Sequence, residues 1–202
     1  MLIYLLDCIG IIACSIAASM LAKRVGFDLS GAILVAVVGS IGGGTTRDLL
    51  LNRHPLFWLH QPSYLILITL TALLVQIFYH TFDKLNKPLR LFDAIGLAAF
   101  SVIGFNAAHT QQMSAPIIVL MGMITAVIGG ILRDIICHQL PLVLRQEIYI
   151  FASILGGLLY LALQALNTPD AVRDIASMSI IFIIRMLAIK YHWNLPNLTL
   201  KP

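Results

Sequence analysis

Residues Gly42-Gly43-Gly44-Thr45-Thr46-Arg47-Asp48 return 86 positions later as Ile128-Gly129-Gly130-Ile131-Leu132-Arg133-Asp134. Each copy sets glycines beside an arginine–aspartate pair inside an apolar stretch. Ionisable side chains in hydrocarbon are costly and mark pathways or binding sites. Glycine is poor in a helix interior because its backbone loses the most freedom there. A run of glycines strips side chains from nearly a full turn and invites unwinding. The freed carbonyl and N–H groups then need water, an ion or a polar side chain. Two broken helices facing one site is the arrangement these motifs predict, as in membrane proteins built from repeats.

The other polar residues within apolar stretches extend this inventory. The acids are Asp7, Asp48, Asp93 and Asp134, and the bases are Arg47, Arg133 and Arg185. Arg185 lies near a helix end and is expected to snorkel toward water. The remaining six groups carry two net negative charges when ionised, and acidic linings favour cations over anions. Arg47 and Asp48 are adjacent, so on a helix their Cβ bonds point about 100° apart. Partners across the repeat are therefore expected: Asp7 or Asp134 for Arg47, and Asp93 or Asp48 for Arg133. A purely structural role is the alternative, because a planar guanidinium suits the cross-linking of helices and small residues let membrane helices pack closely. Thr45 and Thr46 supply hydroxyls at the first motif. The second has Ile131 and Leu132 there, with Thr125 a turn earlier. Ser15, Ser101 and Asn106 are secondary lining candidates or helix–helix hydrogen bonders.

No catalytic residue, metal site or cofactor is expected. The histidines at 54, 60, 80, 109, 138 and 192 form no HExxH or other ligand spacing, and no serine sits in a nucleophile elbow. Cys8, Cys14 and Cys137 lie in apolar stretches without a CxxC pair and read as small packing residues. The first residues lack the basic start of a signal peptide, and Asp7 interrupts the apolar run.

These motifs need helices to hold them. Of the 202 residues 59% are hydrophobic and 11% charged, with a net charge of +4; mean hydropathy is +0.94. A soluble domain has about 25% charged residues, so this composition defines an all-α integral membrane protein. The basic residues form no aromatic-interleaved patch, and nucleic acid is not an expected partner. At about 20 apolar residues per crossing, seven spans are expected near 2–22, 30–51, 62–82, 90–108, 115–138, 146–166 and 170–190. Pro62, Pro88, Pro116 and Pro169 sit near helix starts, where a missing N–H costs nothing. Thr168 is a candidate N-cap for the last helix, and Pro55 and Pro141 are expected to help end spans two and five.

The same offset pairs Asp7 with Asp93, Ile9 with Ile95, Gly10 with Gly96, Ala13 with Ala99, Ser15 with Ser101 and Pro55 with Pro141. Each repeat holds three spans, an odd number, so the second is inverted. The expected organisation is a first three-helix repeat at 1–88, an inverted repeat at 89–168, and a seventh helix and tail at 169–202, with helices two and five broken at glycines. One side of the membrane carries Lys23, Arg24, Lys84, Lys87, Arg90, Arg145, Lys190 and Lys201; the other carries Arg53 and Arg173. Positive charge favours the cytoplasm, which puts the N-terminus outside. The Phe57-Trp58-Leu59-His60 segment would then rest at the outer interface and Tyr191-His192-Trp193 at the inner one.

Seven spans, the inverted three-plus-three repeat and a doubled GG-x-x-RD signature resemble the trimeric intracellular cation channel family. The resemblance is to its prokaryotic members, which share a domain also named a glycine-transporter domain, and it covers roughly residues 2–190. It implies a homotrimer in the prokaryotic inner membrane, each protomer with its own pore for monovalent cations (potassium, sodium). That pore is hourglass-shaped and lined by the kinked second and fifth helices. Carried over, Gly42, Gly43, Gly44, Gly129 and Gly130 occupy the kinks, with Arg47, Asp48, Arg133 and Asp134 just beyond. Animal members carry a lysine-centred, lipid-binding motif in the second helix. Here Thr45-Thr46-Arg47-Asp48 stands in its place, which argues against phosphoinositide regulation, although the basic cytoplasmic side suits membrane lipid headgroups. Two other functions compete with the channel. One is a secondary transporter of a small zwitterion such as glycine, its carboxylate at broken-helix N-termini and its ammonium at Asp48 or Asp134. The other is a scaffold whose polar residues only fix packing.

Overall fold

A computed structural model describes residues 2–83, 88–145 and 148–193. The described chain is helical. In order it forms α1 (Leu2–Arg24), α2 (Leu29–Leu50), α3 (Phe57–His60), α4 (Ser63–Ile77), α5 (Tyr79–Asp83), α6 (Pro88–Thr110), α7 (Ala115–Ile136), α8 (Leu142–Arg145), α9 (Tyr149–Ala165) and α10 (Asp170–Tyr191). Four of these, α1, α2, α6 and α7, are long and apolar enough to cross a membrane, while α4 and α9 are apolar but shorter. The third expected span is divided: α4 ends at Ile77 and α5 follows. Lys84, Lys87 and Lys201 lie outside the described residues, as does the side chain of Arg145.

Two glycine contacts fix how the halves meet. A β-carbon on Gly10 would stand 3.0 Å from the Phe100 ring, and one on Gly96 would stand 2.5 Å from Cys14 Sγ. Adding the repeat offset to Gly10 and subtracting it from Phe100 gives the other contact. The same exchange relates α2 and α7, where Gly43 abuts the Thr125 carbonyl and Gly129 abuts the Gly39 carbonyl. In each case one residue number rises as its partner falls, so α1 crosses α6, and α2 crosses α7, in antiparallel fashion about a pseudo-two-fold axis. The outer pairings repeat as well. Ser15 Oγ donates to the Ile68 carbonyl at 3.1 Å, and Ser101 Oγ meets Ser153 Oγ at 2.8 Å. Both serines thus join helices rather than line a path.

Helix ends are duplicated too. Asn52 and His138 have φ of 49° and 53°, the left-handed conformation that closes a helix. The next N–H then turns back: Arg53 N donates to the Asp48 carbonyl and Gln139 N to the Asp134 carbonyl, both at 2.8 Å. α2 and α7 therefore stop before Pro55 and Pro141 are reached. At the start of α2, Asp28 accepts from Gly31 N at 2.7 Å and Ser30 Oγ at 2.9 Å. The Gly31 N–H, helped by the Ser30 hydroxyl, holds the Asp28 carboxyl below its ordinary range. Thr168 does not cap α10 as expected. Its hydroxyl donates to the Leu163 carbonyl at 2.8 Å, finishing α9.

Candidate membrane pathway and its arginine–aspartate sites

Both α2 and α7 run as continuous helices through their glycines. The expected breaks are absent among the described residues, for a packing reason. At the α2–α7 crossing each backbone occupies the volume that a side chain on the other would need, so Gly43 and Gly129 serve close approach. Gly42 accommodates Leu132, whose Cδ1 would lie 2.7 Å from a β-carbon there. The threonine hydroxyls are also committed: Thr45 Oγ1 donates to the Ile41 carbonyl at 2.8 Å and Thr46 Oγ1 to the Gly42 carbonyl at 2.9 Å.

The arginine–aspartate pairs lie in the last turns of α2 and α7, and each arginine binds its own neighbour. Arg47 Nε and Nη2 reach Asp48 Oδ1 at 2.9 and 2.8 Å. Arg133 Nε reaches Asp134 Oδ1 at 2.8 Å. The helical angle between adjacent Cβ bonds does not prevent this, because the arginine side chain is long enough to curl back. Each aspartate also ties down the returning chain: Asp48 Oδ2 accepts from Phe57 N at 3.0 Å, and Asp134 Oδ2 from Leu142 N at 2.9 Å. Of the partners expected across the repeat, Arg47 binds neither Asp7 nor Asp134 but its neighbour Asp48. Arg133 does bind Asp93, its Nη1 donating to Asp93 Oδ1 at 3.0 Å, although within one repeat and not between the two. All five of Arg47, Asp48, Asp93, Arg133 and Asp134 are buried.

Aromatic residues finish the first half. The Phe57 ring lies over Gly44, 2.5 Å from where a β-carbon would stand, with the Arg47 guanidinium 5.4 Å from its centroid. Trp58 Nε1 donates to Thr45 Oγ1 at 3.0 Å. This segment thus folds onto α2.

Cavities approach the pairs from opposite ends. One of about 600 Å³ is lined by Asp7, Asp48, Asn52, Arg53, His54, His60, Gln61 and Gln111, among others. A smaller one joins Asp7, Arg47, Arg53 and Phe57 to Asn106. At the other end a cavity of about 320 Å³ reaches Asp134 past Leu21, Arg24, Val25, Leu89, Leu140 and Leu142. The loops after α2 and α6 share the first end, where Gln111 Nε2 donates to the Leu51 carbonyl at 2.9 Å. The loops after α1 and α7 share the second.

The sequence reading missed a third buried arginine–aspartate pair. Arg173, by sequence a charge of the outer loops, is 5% exposed in α10, and Asp174 is 2% exposed. Asn106 binds both: its Nδ2 donates to Asp174 Oδ1 at 2.9 Å, and its Oδ1 accepts from Arg173 Nη2 at 3.3 Å and Tyr160 Oη at 3.1 Å. The Arg173 guanidinium also lies 4.4 Å from the Tyr160 ring centroid. Asn106 is therefore a junction of α6, α9 and α10. The dipeptide was a legible signal, but it lacks the glycines and the repeat offset of the other two. Arg185 does not snorkel; it is 2% exposed and stacks 4.4 Å from the Tyr149 ring centroid. A buried cation over an aromatic face gains about 2 kcal/mol, which offsets part of its desolvation. Among the described residues no cluster of His, Cys, Asp or Glu has metal-holding geometry.

An all-helical integral membrane protein with two antiparallel, sequence-related halves, each centred on a buried arginine–aspartate pair, is the class that this fold and site define. A family model described as glycine transporter matches residues 4–80 and again 90–165. The chain belongs to that family, and its fold is that of the prokaryotic trimeric intracellular cation channels. It is 36% identical over 202 residues to the UPF0126 inner membrane protein YadS of Escherichia coli K12, covering 99% of this chain and 98% of that one. The trimeric intracellular cation channel orthologue from Rhodobacter sphaeroides superposes with a TM-score of 0.91 at 33% identity, covering 95% of this chain and 99% of that one. Another TRIC cation channel, whose structure addresses the basis of conductance, gives 0.89 at 34% identity and 98% coverage of each chain. The two family matches begin 86 residues apart and end 85 apart. The aspartate contacts locate that missing residue between Pro141 and Leu142.

Proposed function

We propose that this chain is a monovalent cation channel, permeable to potassium, with one pathway in each protomer of a homotrimer. The observation that carries this reading is the pair of open cavities at opposite ends, each finishing on the aspartate of an arginine–aspartate pair. Between them stands the glycine crossing of α2 and α7, where the two backbones meet directly and where the pathway would open. The proposed lining comprises Gly42, Gly43, Gly44, Thr45, Thr46, Arg47, Asp48, Gly129, Gly130, Arg133 and Asp134. Asp7 faces the first cavity, and Asp93, Ser15, Ser101 and Asn106 hold the helices. The solved relatives at 33–34% identity are named as cation channels, which supports the reading. Glycine transport lacks the helix breaks its carboxylate site would use.

In this reading the chain divides into repeats at 1–88 and 89–168 and a seventh helix with its tail at 169–202. It crosses the membrane seven times with its N-terminus outside, so the Asp7–Asp48 cavity opens outward and the Asp134 cavity faces the cytoplasm and its lipid headgroups. Purified protein in planar bilayers should give steady unitary currents in potassium chloride. Absent currents together with saturable glycine uptake would reverse the assignment. Lys84→Cys should resist an impermeant reagent applied outside; if it reacts, the orientation is wrong.

A further inference from the structure

Arg53 is the cation of the large cavity whose charge the fold does not consume. Its side chain is 42% exposed and its Nη1 stands 3.8 Å from Asp48 Oδ1, a carboxylate oxygen already bound by Arg47. Arg53 lines the large cavity with Asp7 and Asp48, and also the small one with Asp7 and Arg47. Its structural duty is done by its backbone, whose N–H closes α2 on the Asp48 carbonyl at 2.8 Å. At the equivalent place in the second half, Gln139 makes the same backbone bond at 2.8 Å with a neutral side chain. The helix end therefore does not need the charge.

We propose that Arg53 is a tethered cation at the mouth of the pathway. It occupies the place beside Asp7 and Asp48 that an arriving monovalent cation takes, and it limits entry when such cations are scarce. This rests on the channel reading above. An exposed charge acts over a Debye length of about 30 Å at 0.01 M salt but only about 3 Å at 1 M. Its influence on conductance must therefore fade as salt rises. A unit charge acting across about 4 Å of water changes local cation occupancy by about fivefold.

The test is the conductance of the full-length protein in planar bilayers across potassium chloride concentrations. Arg53→Gln, which installs the Gln139 side chain, should raise unitary conductance by about fivefold at about 10 mM salt and leave it near wild type at about 1 M. Arg53→Cys treated with a cationic thiol reagent should fall back toward the wild-type low-salt value, whereas a neutral reagent of similar size should not lower it. This second variant carries the test if the first fails to assemble. Unchanged conductance, or a change equal at all salt concentrations, overturns the proposal while leaving the channel reading standing. Wild-type protein that passes no unitary current removes both.

Discussion

In the first half Phe57 crowds the space above Gly44, whereas in the second a β-carbon added to Gly130 would stand at ordinary contact distance, 3.7 Å from Arg133 Nη2 and Asp93 Oδ1 and 3.8 Å from Tyr149 Oη. The two ends diverge in the same way. His54 and Gln111 line the first cavity, while Leu140 and Val25 stand at the equivalent places in the second. What does not diverge is the set of positions held by backbone geometry: the glycine crossing, the left-handed caps and the aspartates that receive the returning chain. Side chains facing space were free to differ. Groups pinned between two backbones were not, so one doubled scaffold carries a polar mouth and a more apolar one.

The largest predicted effect lies in the second half. Arg133→Gln leaves Asp93 and Asp134 buried without their cation and should cost about 3–5 kcal/mol, read as a lowered melting temperature in detergent. Adding Asp93→Asn should recover part of the loss; a single mutant that melts like wild type would mean the triad holds nothing. The glycine crossing comes next. Gly43→Ala and Gly129→Ala each drive a methyl into the opposing carbonyl and should destabilise by about 1–3 kcal/mol through overpacking. Equal tolerance of both would show that the helices can separate there freely.

Trp58→Phe removes the hydrogen bond to Thr45 and should cost about 1 kcal/mol. The equivalent position in the second half is Val143, so Val143→Ala should show no comparable polar loss. The smallest effect belongs to Gly130→Ala. Its methyl fits at ordinary contact distance from Arg133, Asp93 and Tyr149 and the helix gains alanine's propensity, so stability should rise by less than about 1 kcal/mol. A large destabilisation would mean that the buried polar groups around Gly130 do not tolerate even a methyl at contact distance.

The membrane class, most of the long helices and the duplication could be read from the chain, because apolar content, segment length and a fixed offset are properties of linear order. Asp93 as a partner of Arg133 was legible, but the contact expected across the repeat is made instead within the second one, between α6 and α7. The pairing of Arg47 with Asp48 was not, because the angle between adjacent Cβ bonds says nothing of where a long, flexible guanidinium ends. Nor were the unbroken helices. Glycine propensity describes an isolated helix, whereas here the neighbouring backbone fills the stripped turn and keeps it regular.

Burial is the other quantity that linear order withholds. Arg173, Asp174 and Arg185 sit in the least apolar of the long helices, and by position they read as exposed. Tertiary packing set their surroundings: α6 and α9 meet α10 along the face that carries these charges and bring Asn106, Tyr160 and Tyr149 to receive them. A sequence determines which charges must find partners in a membrane. Only the meeting of helix faces decides which partners those are, because reach and burial depend on distances through space, not along the chain.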